Sequence, residues 1–235
     1  MTNFSDLTVI IPTLNEASNI PKLIGLLAKR YKGVSIIISD DGSTDGTASQ
    51  TLNLAKKNKN IKLNDRSLEK IHGLTASIAD KKLMRKVSTP KIIIMDGDLQ
   101  HPIDKINEMY KQLDKNDIVV AVRTNKDTLS LLRKVLSGGM FLISYVVFRI
   151  RKKPTTKDMM SGYFGIRTKL FKYLVYKHNN QFVLKGYKVL LDILRLCDSE
   201  VKVSEIFYST FTDRKNGSSK FRFRHILYTL ESTFR

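Results

Sequence analysis

Asp96 and Asp98 stand two residues apart with Gly97 between them, directly after the apolar run Lys91 to Met95 and shortly before Pro102. Two carboxylates at that spacing suit a hard divalent ion: Mg²⁺ or Mn²⁺ takes one or two protein carboxylates and leaves its other positions to waters and substrate phosphates. The glycine lets the backbone turn and approach a ligand closely. Alone, an Asp-Gly pair is also ordinary turn chemistry, so its setting has to decide. A second pair, Asp40 and Asp41, opens a polar stretch ending at Gly46. One of these carboxylates can accept hydrogen bonds from a base or ribose while the other organises its own loop. Asp45 or Thr44 is expected to cap the helix that follows. A third cluster, Pro12-Thr13-Leu14-Asn15-Glu16, follows the first apolar run of the chain.

The elements that must position these clusters follow from periodicity. Leu7 to Ile11 is a continuous β-branched and apolar run, as expected of a strand buried on both faces. Ile20, Leu23, Ile24 and Leu27 then repeat at helical spacing, with Ser18 or Asn19 as cap and Pro21 in the first turn. Val34 to Ser39, Lys91 to Met95 and Asp117 to Val122 read as further strands, and Thr47 to Lys57 and Pro102 to Leu113 as helices, the latter with Ile103, Ile106 and Met109 inward. Such alternation predicts an α/β fold with a mostly parallel central sheet, because parallel neighbours need long return connections. Ligands of such sheets sit beyond the carboxyl ends of the strands, where all three clusters fall.

From about Thr128 the alternation stops. A long helix is expected over Leu129 to Arg149, a short strand over Ser161 to Arg167, and helices over Thr168 to Tyr176 and Gly186 to Leu196. A last strand, Val201 to Thr210, offers Val203, Ile206 and Phe207 to the sheet. Beyond the loop Asp213 to Lys220, Phe221 to Arg235 can form a helix with Phe223, Ile226, Leu227 and Leu230 on one side. With no internal repeat or low-complexity linker, residues 1–235 are expected to be a single domain. Within it, the alternating stretch 1–127, the stretch 128–220 and a basic amphipathic terminal helix at 221–235 are expected to be distinct parts.

Composition narrows the function. The 235 residues are 42% hydrophobic and 27% charged, enough to bury a substantial core. Forty-one Lys plus Arg against 22 Asp plus Glu leave a net charge of +19, which favours polyanionic partners: nucleic acid, nucleotide phosphates or an anionic membrane surface. A single cysteine, Cys197, excludes an internal disulfide framework. No secretory leader is expected at the N-terminus. The longest apolar run, Met140 to Phe148, is far short of the roughly 20 residues needed to span a bilayer. Neither a Walker phosphate loop, nor a Gly-x-Gly-x-x-Gly turn after the first strand, nor His-Glu-x-x-His occurs. Of the scattered His72, His101, His178 and His225, only His101 lies beside the aspartates.

Pro-Thr-Leu-Asn-Glu, Asp-Asp-Gly-Ser-Thr-Asp-Gly-Thr and Met-Asp-Gly-Asp-Leu-Gln-His-Pro, in this order, resemble the inverting glycosyltransferases of family 2, specifically the dolichol-phosphate mannose synthase group. Five later segments are similar too: Ala121 to Arg123, Leu132 to Ser137, Met160 to Phe164, Gly186 to Leu191 and Asp213 to Lys220. The family usually has tyrosine where Leu14 stands and a glycine-rich stretch in place of Ile71 to Thr75. The resemblance implies a GT-A-like fold with C-terminal amphipathic interface helices. It further implies a nucleotide-sugar donor site formed by Pro12, Leu14, Glu16, Asp40, Asp41, Asp96, Gly97, Asp98, Arg214 and Lys220. A divalent metal, Mg²⁺ or Mn²⁺, would be held by Asp96, Asp98 and Gln100, and an acceptor phosphate by Arg123, Arg133 and Ser137. Asp98, Arg123, Arg133 and Arg214 would then be the catalytic set.

The implied reaction transfers a hexose, with mannose from GDP-mannose favoured and UDP-glucose as the alternative, to a polyprenyl or dolichyl phosphate at an anionic membrane surface. A peripheral place on the cytoplasmic face is expected. Physical chemistry is consistent with it: a lipid phosphate monoester already carries roughly −1.5 to −2 charges at neutral pH and can attack without a dedicated base. The remaining barrier, holding two anions together and neutralising the departing diphosphate, calls for arginines and a cation rather than a histidine-centred triad. Two competitors are weaker. A nucleic-acid-binding module explains the charge but leaves three carboxylate clusters unexplained, so no nucleic acid is expected. A nucleotidyltransferase usually carries a glycine-rich basic loop after its first strand.

Overall fold

The computed structural model describes residues 3–124, 131–186, 188–209 and 224–235. In chain order the described elements are β1 (Leu7–Thr13), α1 (Ile20–Arg30), β2 (Ser35–Asp40), α2 (Thr47–Lys57), β3 (Ile61–Asp65), α3 (Leu74–Ile78), α4 (Lys81–Lys86), β4 (Lys91–Ile94), α5 (Lys105–Gln112) and β5 (Ile118–Arg123). The later ones are α6 (Leu131–Ile150), β6 (Phe164–Arg167), α7 (Thr168–Lys177), α8 (Val189–Leu196), β7 (Val203–Tyr208) and α9 (Arg224–Phe234).

The strands form one seven-stranded sheet in the order β3-β2-β1-β4-β6-β5-β7. β6 runs antiparallel to both of its neighbours, and every other pair is parallel. Strict alternation along the strands feeds two cores. Ile10, Ile37, Ile92, Ile94 and Val120 face the layer of α3, α4, α7 and α8, whereas Val9, Ile11, Ile36, Ile93 and Val119 face α1 and α5. Both faces being covered, the strands need to be apolar throughout, which is why they read as continuous runs rather than alternating ones.

The first half follows the periodicity closely, with two differences. Asn19 occupies the α1 N-cap, but its side chain donates to Glu16 Oε2 at 2.8 Å instead of capping. Asp45 does hold the start of α2, accepting from the Thr47 amide at 3.0 Å and the Thr47 hydroxyl at 2.6 Å. Residues 61–86, without assignment by periodicity, supply β3, α3 and α4. β3 is a half-buried edge strand and the two helices have only five and six residues, too few for a 3.6-residue repeat to register. On β7, Ile206 and Tyr208 turn into the core while Phe207 points to solvent, the pleat deciding against the expected inward Phe207.

Among the described side chains of α6, few anchor it to the core. Phe148 is fully buried in the core, with Phe141 and Val147 packed partly against it, while Leu142, Ile143, Tyr145, Val146 and Ile150 are exposed, Ile150 to 75%. α9 packs against α6 and α8. Its Thr229, Ser232 and Thr233 are buried, Ser144 and Thr233 share a hydrogen bond of 2.8 Å, and Leu227 and Phe234 are exposed. The expected apolar side of this terminal helix is therefore turned outward at Leu227. Among the described residues no helix is long and apolar enough to cross a membrane.

Because Phe148 carries the seating of α6, Phe148→Ala should lower the unfolding free energy by about 3–5 kcal/mol in chemical denaturation. Leu142→Ala, at a position 61% exposed, should change it by less than about 0.5 kcal/mol.

Candidate active site

The three polar clusters meet beyond the carboxyl ends of β1, β2 and β4, which lie side by side. Backbone and side chain bonds join the first two. Thr13 pairs in register with Asp40 and donates its hydroxyl to Asp40 Oδ1 at 2.8 Å. Asn15, at φ +58°, donates its amide to Ser43 Oγ at 2.8 Å and accepts from the Thr44 amide at 2.9 Å. The Glu16 amide donates to Thr47 Oγ1 at 2.9 Å. Pro12 is buried at the end of β1, and Leu14 stands exposed at the rim.

The two aspartates of the second cluster divide their work. Asp40, almost wholly buried, accepts from Thr13, from the Ser43 amide at 2.9 Å and from the Ser43 hydroxyl, and so organises its own loop. Asp41 instead ties down residues 66–73. Its Oδ1 lies 3.2 Å from Arg66 Nε and 3.3 Å from His72 Nδ1, and its Oδ2 accepts from the Gly73 amide at 2.6 Å. Arg66, itself buried, bridges on to Asp80 at 3.3 Å and donates to the Ile71 carbonyl at 2.7 Å. Periodicity gave no sign of Arg66; its only sequence signal is an arginine placed just after a half-apolar strand.

In the third cluster, Gly97 sits where a Cβ would come within 3.2 Å of Ile20 Cδ1, so glycine permits the close backbone approach. Leu99 takes φ +63°, and the Gln100 amide donates to Asp98 Oδ1 at 3.0 Å, folding the turn back over the carboxylates. Gly162, between β5 and β6, faces Asp96, and a Cβ there would lie 3.1 Å from Asp96 Oδ2. His101 is buried and places Nε2 3.1 Å from Asp96 Oδ2. Burial pushes the Asp96 carboxyl up, but the hydrogen bond and charge interaction with His101, with Lys188 and Arg123 adding to it, reverse this and hold it below the usual carboxylate value. Asp98 has no such partner. Burial first and the charge of Asp96 second push its carboxyl up.

Arg123 ends β5 opposite Tyr208 in register and acts electrostatically on the Tyr208 hydroxyl and on both Asp96 and Asp98. Arg133 and Ser137 lie on α6, in the stretch 131–138 whose side chains are outside those described. Arg214 and Lys220 lie outside the described residues. The structure thus brings together Asp40, Asp41, Asp96, Asp98 and Arg123, with Pro12, Leu14, Glu16, Gly97 and Gln100 around them. It adds Asn15, Arg66, His72, Tyr208, Gly162 and Lys188, which the motifs did not single out for a role.

Among the described residues no group of three or more His, Cys, Asp or Glu side chains forms a metal cage. The donor set fits a different kind of cation site: two carboxylates of which one is kept ionised and the other is disfavoured by its neighbour's charge. A divalent ion shared with substrate phosphates would relieve that repulsion.

Comparison with known proteins agrees with this architecture. A curated dolichol-phosphate mannosyltransferase of Pyrococcus furiosus is 28% identical over 97% of the chain, which spans 62% of that relative's length. The crystal structure of mannosyl-3-phosphoglycerate synthase from Rubrobacter xylanophilus superposes with a TM-score of 0.69 at 14% identity, covering 97% of this chain and 72% of that one. Glucosyl-3-phosphoglycerate synthase from Mycobacterium tuberculosis, crystallised with Mn²⁺, UDP and glucosyl-3-phosphoglycerate, gives 0.59 at 15% identity, covering 90% and 72%. The description "Glycosyl transferase family 2" matches residues 8–175, taking in β1 to β6 and all three carboxylate clusters. The chain belongs to glycosyl transferase family 2.

Proposed function

We propose that the chain transfers a hexose, by preference mannose from GDP-mannose, to a polyprenyl or dolichyl monophosphate at a membrane surface, with inversion at the anomeric carbon. The observation that carries this reading is that Arg123, at the carboxyl end of β5, and the Asp96 and Asp98 pair, just after β4, stand at the same end of the sheet, in a chain similar along almost its whole length to a dolichol-phosphate mannosyltransferase. Residues 1–127 would take the donor and 128–220 the acceptor.

The chemistry needs placement more than proton transfer. An oxygen of the acceptor phosphate forms the new bond to the anomeric carbon while the bond to the nucleoside diphosphate breaks on the opposite face. At neutral pH the acceptor already carries the charge to attack. Asp96, Asp98 and Gln100 would hold Mg²⁺ or Mn²⁺, which when bound neutralises the departing diphosphate. Asp41 and its loop would meet the nucleoside, and Pro12, Leu14 and Glu16 would line the same pocket. Arg123, with Arg133, Ser137, Arg214 and Lys220, would bring the two anions together, since guanidinium groups bind phosphate oxygens in pairs.

Contact with lipid is supported by α6 and α9. Ser144 and Thr233 meet between them, while Leu142, Ile143, Val146, Ile150, Leu227 and Phe234 face outward. Arg149 and Lys152 are exposed at the end of the apolar strip. An outward apolar face edged by cations matches the interface of an anionic bilayer.

Three outcomes test the reading. Incubation of labelled GDP-mannose, and in parallel UDP-glucose, with a polyprenyl phosphate should move label into organic solvent with Mg²⁺ or Mn²⁺ and not with chelator. No lipid-phase label from either donor would refute the reading. Asp98→Asn should abolish transfer and yet raise the melting temperature of the metal-free protein near neutral pH. The folded carboxyl sits above its ordinary value of 3.8, so its ionisation costs stability as pH rises through the folded pKa. The gain should vanish in acid, where Asp98 is protonated in both states. Finally, Leu142→Asp combined with Ile150→Asp should weaken flotation with vesicles containing anionic lipid while leaving the melting temperature unchanged.

A further inference from the structure

Asp96 and Arg123 are joined by more than proximity. Arg123 pairs in register with Tyr208 and its charge acts on the Tyr208 hydroxyl, Tyr208 Oη lies 3.1 Å from His101 Nδ1, and His101 Nε2 lies 3.1 Å from Asp96 Oδ2. Donor and acceptor capacity gives this chain a direction. With arginine able only to donate, a neutral imidazole takes the phenol's one hydrogen at Nδ1 and so carries its own hydrogen on Nε2, toward the carboxylate.

Packing locks the middle of the chain. His101 and Tyr208 are about 95% buried, at 4% and 5% exposure. Tyr163, fully buried, lies against the His101 ring at 4.8 Å between centroids and against Tyr208 edge-on at 5.7 Å. Its own hydroxyl donates to the Pro102 carbonyl at 2.9 Å, fixing the segment that carries His101. Three aromatic rings from three different parts of the chain, 101, 163 and 208, therefore leave the imidazole one orientation. Such buried, fully paired polar chains specify geometry because any misalignment strands a donor in the core.

We propose that Tyr208 and His101 are positioning residues that hold the Asp96 carboxylate and the Arg123 guanidinium in one fixed arrangement, resting on the metal and acceptor roles given to those two groups above. Neither need touch substrate. Loss of the phenol hydroxyl would free both ends at once: Arg123 loses an acceptor, and the imidazole loses the hydrogen bond that fixes its orientation toward Asp96. Partners of metal-binding side chains typically affect metal affinity by about 10–100-fold.

Tyr208→Phe keeps the ring and removes the link. Mn²⁺ binding in the presence of GDP, followed by the paramagnetic resonance of free Mn²⁺ without acceptor or turnover, should weaken about ten-fold. KM for the polyprenyl phosphate should rise together with it. His101→Gln, which can still offer an N–H to Asp96, should retain Mn²⁺ affinity better than His101→Ala while showing the same raised acceptor KM. Unchanged Mn²⁺ affinity and acceptor KM in folded Tyr208→Phe and His101→Gln would overturn the inference and leave the proposed reaction standing. Failure of the wild-type protein to bind Mn²⁺ with either GDP or UDP would overturn the metal assignment and this inference with it. Nitrogen NMR of the imidazoles supplies a separate check: a neutral His101 ring with its hydrogen on Nδ1 would contradict the direction of the chain.

Discussion

A carboxylate at the mouth of a sheet buried on both faces has lost much of its water and has to be given donors in return. Four such groups, Asp40, Asp41, Asp96 and Asp98, lie at neighbouring strand ends, and three of them are satisfied by recruiting another part of the chain. Asp40 draws in Thr13 and Ser43. Asp41 draws in Arg66, His72 and Gly73, thereby fixing the connection from β3 to α3. Asp96 draws in His101, and through it Tyr208 at the far edge of the sheet. Asp98 accepts the Gln100 amide and feels the charges of His101 and Arg123, yet burial and Asp96 outweigh these and favour its protonation. Residual electrostatic tension is thus concentrated where a cation shared with substrate would dissipate it.

Much of this was legible in the sequence, for a physical reason. Strands covered on both faces have to be continuously apolar, so β1, β2, β4 and β5 announce themselves, and the polar residues just after them mark the mouth of the sheet. The helices α1, α2 and α5 are long enough for their inward residues to repeat. What escaped were elements without such patterns: β3, which alternates weakly because it is an edge strand, and α3 and α4, which are held by tertiary bonds rather than by amphipathicity. The Gly73 to Ala76 backbone, for instance, is fastened to the carbonyls of Leu184 and Gly186, a partnership across more than a hundred residues that no local pattern encodes. Arg66, Tyr208 and Gly162 escaped for the same reason. Each matters through the carboxylate it reaches, and only the fold supplies that carboxylate.

α6 and α9 show how burial can be inverted. A helix pair in a water-soluble core joins by apolar faces and turns polar groups outward. Here Ser144, Thr229, Ser232 and Thr233 lie inside and leucine, isoleucine and valine outside. The Ser144–Thr233 hydroxyl pair tolerates either surrounding, and Phe148 and its neighbours supply the attachment to the body.

The antiparallel strand β6 also dictates when the site can exist. β4 and β5 are not paired with each other; they are bridged only by residues 164–167, and the chain that partners Arg123 on β5 arrives later still, at 203–208. During synthesis, which delivers the amino-terminal residues first, a nascent chain can therefore close the β3-β2-β1-β4 half of the sheet long before the other half. Over that interval the aspartates are present without the histidine's phenol partner or the neighbouring arginine's strand. Completion of the mouth is tied to the emergence of Tyr208, so a prematurely terminated chain would carry the conspicuous motifs without the strand that pairs with Arg123 and the phenol beside His101.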